Sequence, residues 1–128
     1  MAQGRLRVNR LTLAREAGRV RVDVELAHDD RTLVGSAEAA PGAAIRAAAA
    51  ATTSALSAVL PRPWRLRLDE AVTQPIAQRQ AVIVQLRLDG EEVEERLVGS
   101  AVADRIPEEA AVRAVLNAAE RRATHLIS

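Results

Sequence analysis

The pentapeptide Leu33-Val34-Gly35-Ser36-Ala37 returns unchanged as Leu97-Val98-Gly99-Ser100-Ala101, 64 positions later in a chain of 128 residues. A self-match at half the chain length constrains the fold strongly, because each half must then be one structural unit used twice. Upstream at the same offset, Val20, Val22 and Val24 fall on Val84, Leu86 and Leu88, and Arg15 falls on Arg79. Downstream the pattern aligns at an offset of 67, with Ile45, Ala48, Ala49, Thr52, Leu56, Val59 and Leu60 facing Val112, Val115, Leu116, Ala119, Ala123, Leu126 and Ile127. That alignment puts three extra residues in the second strand-to-helix loop.

Both copies read as three strands followed by a helix. Arg19 to Leu26 alternates polar and apolar at period two, the pattern of a half-buried antiparallel strand. A first strand over Arg5 to Arg15, bent near Asn9, precedes it through a turn at Gly18, and a third spans Thr32 to Ala39. From Gly42 to Leu60 the apolar residues change to helical spacing, and Pro61 and Pro63 end the run. Copy two repeats this as Trp64 to Gln78, Gln80 to Leu88, a turn at Asp89-Gly90, Val93 to Ala103, and a helix from Pro107 to Ile127. Pro107 suits a first helical turn, and Glu108 and Glu109 complement its dipole. The expected fold class is α+β: a tandem duplication of a βββα unit forming an antiparallel-sheet pseudo-dimer with one helix per unit. A unit of about 60 residues is marginal alone, so residues 1–128 read as a single domain with repeats at 5–60 and 64–127. Whether the six strands make one sheet or two stays open.

This arrangement resembles the C-terminal regulatory domain of 2-isopropylmalate synthase. The likeness rests on Gly35-Ser36-Ala37 leading into Ile45 to Leu60 and on Gly99-Ser100-Ala101 leading into Val112 to Ile127, and it covers most of the chain as topology. It implies a domain without catalysis that dimerises and binds a branched-chain amino acid between its units. This chain has no clear copy of the family's glycine-rich ligand loop, so the architecture transfers more directly than the ligand.

Composition narrows the function classes. Trp64 is the only aromatic residue, so the core must be aliphatic and rich in Ala. The absence of cysteine excludes disulfides and thiolate chemistry and fits a reducing compartment. All eighteen basic residues are Arg, which removes Schiff-base chemistry and the phosphate-loop lysine. The net charge is +1, with nine Arg against six acids in residues 1–64 and nine against eleven in 65–128, too even for a polyanion binder. The polar start at Met1 to Arg7 shows no secretory segment, and no run of about 20 apolar residues follows. The expectation is a cytoplasmic protein with no membrane partner.

The residues that carry chemistry are few. His28 with Asp29 and Asp30 reads as a hydrated turn, and His125 as a favourable charge at a helix C-terminus. The carboxylates at Glu91-Glu92, Glu94-Glu95 and Glu108-Glu109 read as solvated. Ser36, Ser54, Ser57, Ser100 and Ser128 lack a nucleophile-elbow context. No catalytic residue, metal site or cofactor is expected. The function expected is a non-catalytic small-ligand-binding or protein-interaction module that self-associates through its helices or sheet edges. A ligand would sit in the cleft between units, at turns carrying Gly35, Ser36, Gly99 and Ser100 with Arg15 and Arg79 nearby. Trp64 reads as a plug at the junction of the units or as an interface anchor. One alternative is binding of nucleic acid or another anionic polymer through Arg5, Arg7, Arg10, Arg15, Arg19 and Arg21, although those strands offer no stacking aromatic. Another is a small enzyme that uses Arg and carboxylates.

Overall fold

A computed structural model describes residues 6–127, without the side chains of 123, 124 and 127. Period-two alternation becomes strand β2 (Arg19–His28), where Val20, Val22, Val24 and Leu26 are buried on one face while Arg19 and Arg21 are exposed on the other. With β1 (Leu6–Glu16) and β3 (Arg31–Ala39) it forms an antiparallel sheet in the order β1-β2-β3. A single 3-10 turn at Pro41–Ala43 leads into helix α1 (Ala44–Ser57). The second unit repeats this with β4 (Arg65–Ile76), β5 (Arg79–Asp89), β6 (Glu94–Val102) and α2 (Pro107–Ile127). The strands form two three-stranded sheets.

The expected bend near Asn9 is a β-bulge between Val8 and Arg10, and β4 carries its own bulge between Leu68 and Glu70. Helix α1 is shorter than the apolar spacing suggested, ending at Ser57 rather than Leu60. The first turn places both Ala17 and Gly18 at positive φ, 44° and 77°, the backbone shape of a tight two-residue hairpin.

The register corrects the alignment of the halves in two places. Gly35 pairs with Val24 and Gly99 with Val84, so β2 matches β5 at an offset of 60, not 64. Arg79 is therefore the counterpart of Arg19, and Arg15 corresponds to Pro75. The four-residue difference lies in one hairpin: His28 pairs with Arg31 across two residues, whereas the matching Leu88 pairs with Glu95 across six. In the helices, Gly35 packs beneath Ala51 and Ala55, and Gly99 beneath Ala114 and Ala118. Ala51 lies sixteen positions after Gly35 and Ala114 fifteen after Gly99, so the second strand-to-helix link is one residue shorter, not three longer. Both misalignments have one cause. A shift of four residues is two full strand periods and about one helical turn, so the apolar pattern barely registers it.

The two helices pack on each other and are shared between the sheets. Helix α1 lies on β2 and β3 of its own unit and against β4, while α2 lies on β5 and β6 and against β1. This explains the alanine content of α1. Ala44, Ala47, Ala48, Ala49, Ala51 and Ala55 are all buried, because the helix meets a neighbour on several sides at once. The Ala-rich surface is thus consumed inside the molecule and is not a free face for self-association. At the points of closest approach only hydrogen fits: a Cβ on Gly99 would stand 2.7 Å from the Ala118 Cβ, and one on Gly35 would stand 2.8 Å from the Ala55 nitrogen.

Candidate functional site: an arginine-lined seam between the units

The residues singled out from the sequence do not converge. Gly35 and Gly99 sit within β3 and β6 rather than in turns, and the helices fill the space their missing side chains leave. Ser36 and Ser100 point outward and are exposed. Arg15 lies at the far end of β1 opposite Val20, whereas Arg79 opens β5 and pairs with Asp104 at 2.7 Å. Ser36 does line a shallow hollow of about 440 Å³ with Arg19, Arg21 and Glu38, but none of the other five selected residues reaches it.

The contact between units instead creates a different concavity. Where α1 runs beside the edge of β4, a groove of about 440 Å³ is lined by Arg46, Thr53, Ser54, Ser57, Arg65 and Arg67 over an apolar floor of Leu66 and Leu68. Helical spacing sets Arg46, Ala50, Ser54 and Ser57 along one side of α1, and strand alternation sends Arg65 and Arg67 to one side of β4. A second hollow of about 550 Å³ adjoins it, shares Ser57 and Arg65, and adds Arg62, Pro63 and Trp64 from the link between the units. The two together form a seam with four guanidinium groups.

Those four are unequally committed. Arg46 meets Glu70 at 3.2 Å and Arg67 meets Asp89 at 3.1 Å, both partly exposed pairs of the kind that contributes little to stability and exchanges readily. Among the described residues, Arg62 and Arg65 have no ion pair or side-chain hydrogen bond. The Ser57 hydroxyl oxygen accepts the Leu66 backbone N–H at 3.0 Å, which ties helix to strand at the middle of the seam. Thr53 is turned away, its hydroxyl donating to the Ala49 carbonyl at 2.8 Å. An arginine without a partner, beside hydroxyls and above leucines, suits a small anion that carries an aliphatic part.

No protein-family model and no curated protein matches this chain.

Acids interleave with the N-terminal arginines on the outer surface of the first sheet, where Arg7 and Arg10 also lie and Arg10 stands opposite Glu25. Arg19 pairs with Glu38 at 3.3 Å and Arg21 with Asp23 at 3.2 Å, and Glu25 accepts from Asn9 on the same outer surface of the first sheet. Arg15 belongs to the opposite face, and Arg5 lies outside the described residues. His28 ends β2 and is only 6% exposed, so it is a buried side chain rather than part of a hydrated turn. Its place in the ladder matches that of Leu88, which is also buried. Trp64 is half-buried, with its ring over Gly90 and the Arg122 guanidinium 6.0 Å from the ring centre, so it packs within the second unit at the junction. Among the described residues no cluster of three metal-ligating side chains occurs, and no helix is long and apolar enough to cross a membrane.

No local pattern in the chain announces the seam. Arg65-Leu66-Arg67-Leu68 is a plain alternating strand, and Arg46 is one polar residue on an otherwise small-residue helix. Only the packing of α1 on the other unit's strand brings them together.

Proposed function

We propose that this protein is a non-catalytic module that binds a small anionic ligand in the seam between its two units and self-associates. The observation that carries the reading is the pair of adjoining hollows sharing Ser57 and Arg65, where Arg62 and Arg65 have no acidic partner among the described residues. Because one wall belongs to the first unit and the other to the second, a ligand there would bias how the units sit together, which is the physical requirement for a regulatory role. The likeness to a regulatory domain that holds its ligand between units supports the same reading, as does the aliphatic floor. A cytoplasmic setting fits the cysteine-free chain.

The test is a thermal-shift and calorimetric survey with inorganic phosphate, short aliphatic mono- and dicarboxylates, and aliphatic amino acids. A true ligand at one hundred times its Kd stabilises the fold by about 2.7 kcal/mol. That shift should vanish in Arg65→Ala and persist in Arg7→Ala. An oligonucleotide binding with steep salt dependence, in place of any small anion, would contradict the reading and favour an anionic polymer. A shift that survives Arg65→Ala would contradict the site.

A further inference from the structure

Each sheet has two edges, and the molecule treats the four unequally. Just beyond the two ends of β6, Gly90 N–H donates to Val93 O at 2.7 Å and Ala103 N–H donates to Gln80 O at 2.8 Å, so the even-numbered residues between Val93 and Ala103 turn their backbone groups outward. Helix α2 covers two of these groups. The Asn117 side-chain oxygen accepts from Ser100 N–H at 3.2 Å, and Arg113 donates to the Val102 carbonyl at 2.8 Å. β1 and β4 each carry a bulge and lie against the other unit's helix, and Ser57 takes the outward Leu66 N–H.

β3 has none of this protection. Its two-residue turn makes His28 and Arg31 a bonded pair, so Thr32, Val34, Ser36 and Glu38 direct their backbone N–H and C=O groups away from β2. The ladder has no bulge, and among the described residues no side chain reaches those groups. The positions on α1 that match Arg113 and Asn117 are Ala50 and Ser54, both too short to cap the edge. Thr32 to Ala37 carries no charge, and Val34 is 66% exposed. A flat, uncharged, uncovered edge is a template for another strand.

We propose that β3 pairs antiparallel with β3 of a second copy, joining two three-stranded sheets into one of six strands across a twofold axis. Charge selects a second copy as the occupant: antiparallel pairing sets the uncharged run of one chain against the same run of the other, so no like charges oppose. The proposal deepens the self-association in the function above and rests on that part of it.

Sedimentation analysis across the micromolar range tests it. The wild-type chain should be a dimer at high micromolar concentration. Ser36→Pro removes an outward N–H that has no partner within the chain, and it should weaken the dimer by roughly tenfold or more with an unchanged thermal melt of the monomer. Val34→Lys, which places like charges on the two central strands, gives a second readout should the proline variant not fold. Ser100→Pro, on the covered edge, and Arg65→Ala, in the seam, should leave the dimer intact. A wild-type chain that stays monomeric throughout, or a folded Val34→Lys variant that dimerises normally, overturns the proposal. Loss of ligand response in Arg65→Ala with the dimer retained would separate the two claims.

Discussion

The Gln85 side-chain amide donates to the Asp69 carboxylate at 3.3 Å, and at the matching place in the first unit the Asn9 amide donates to Glu25 at 3.4 Å. Donor and acceptor have exchanged strands, yet each bulge is tied to its neighbouring strand. In the second unit Arg87 joins the pair at 2.9 Å from Asp69. Its hydrogen bond holds the Asp69 carboxyl below its ordinary value of 3.8, against the opposing effect of desolvation and with help from Gln85. A carboxylate whose folded value is lowered contributes stability that is complete above its unfolded value and is lost as pH falls through the folded one. Acid unfolding followed by circular dichroism should therefore begin below about pH 4, and Asp69→Asn should flatten that part of the profile by lowering the stability at neutral pH.

The glycines of the repeated pentapeptide are steric necessities of the helix-on-sheet contact. Gly35→Ala and Gly99→Ala each force a methyl group into helix backbone, at Ala55 and Ala118 respectively. Backbone cannot yield as a side chain does, so each substitution should cost about 1–3 kcal/mol or more in urea unfolding. Gly42→Ala, where a Cβ meets nothing within 4 Å, serves as the control and should change stability little.

Gly90 is the third close contact, and it acts on a reporter. A Cβ there would lie 2.7 Å from the Trp64 ring, the sole aromatic in the chain. Gly90→Ala should displace the indole, shifting its fluorescence to the red and raising its accessibility to acrylamide. Arg122→Ala, which removes the cation beside the ring, should shift the emission in the same direction by a smaller amount.

The uncommitted arginines of the seam predict a charge effect without any specific ligand. Arg62 and Arg65 face each other's field with no acid between them among the described residues, so sulfate or phosphate should raise the thermal midpoint more than chloride at equal ionic strength. The difference should shrink in the Arg62→Ser, Arg65→Ser double variant.

Element types were legible because strand and helix periods differ so clearly between Arg19–Leu26 and Gly42–Leu60, and because Pro107 with Glu108 and Glu109 marks a helix start. Register was less so. Val20 against Val84 and Val24 against Val84 are equally good apolar matches, and only the hydrogen-bonded ladder chooses between them. The placement of Gly35 followed the same limit: a glycine followed by two small residues looks like a turn until a helix is seen lying across it. The seam was hidden for a different reason. Its two walls belong to α1 and β4, which are joined by contacts between units that no local pattern encodes.

Sharing of the helices between sheets is what makes two marginal units into one body. Urea unfolding of the full chain, followed together by Trp64 fluorescence and by far-ultraviolet circular dichroism, tests this most directly, since the indole reports the second unit and the dichroism reports both. The account requires a single transition with one midpoint at both probes. A dichroism profile in two steps, with the fluorescence change confined to one of them, would show that the halves stand independently and would contradict it.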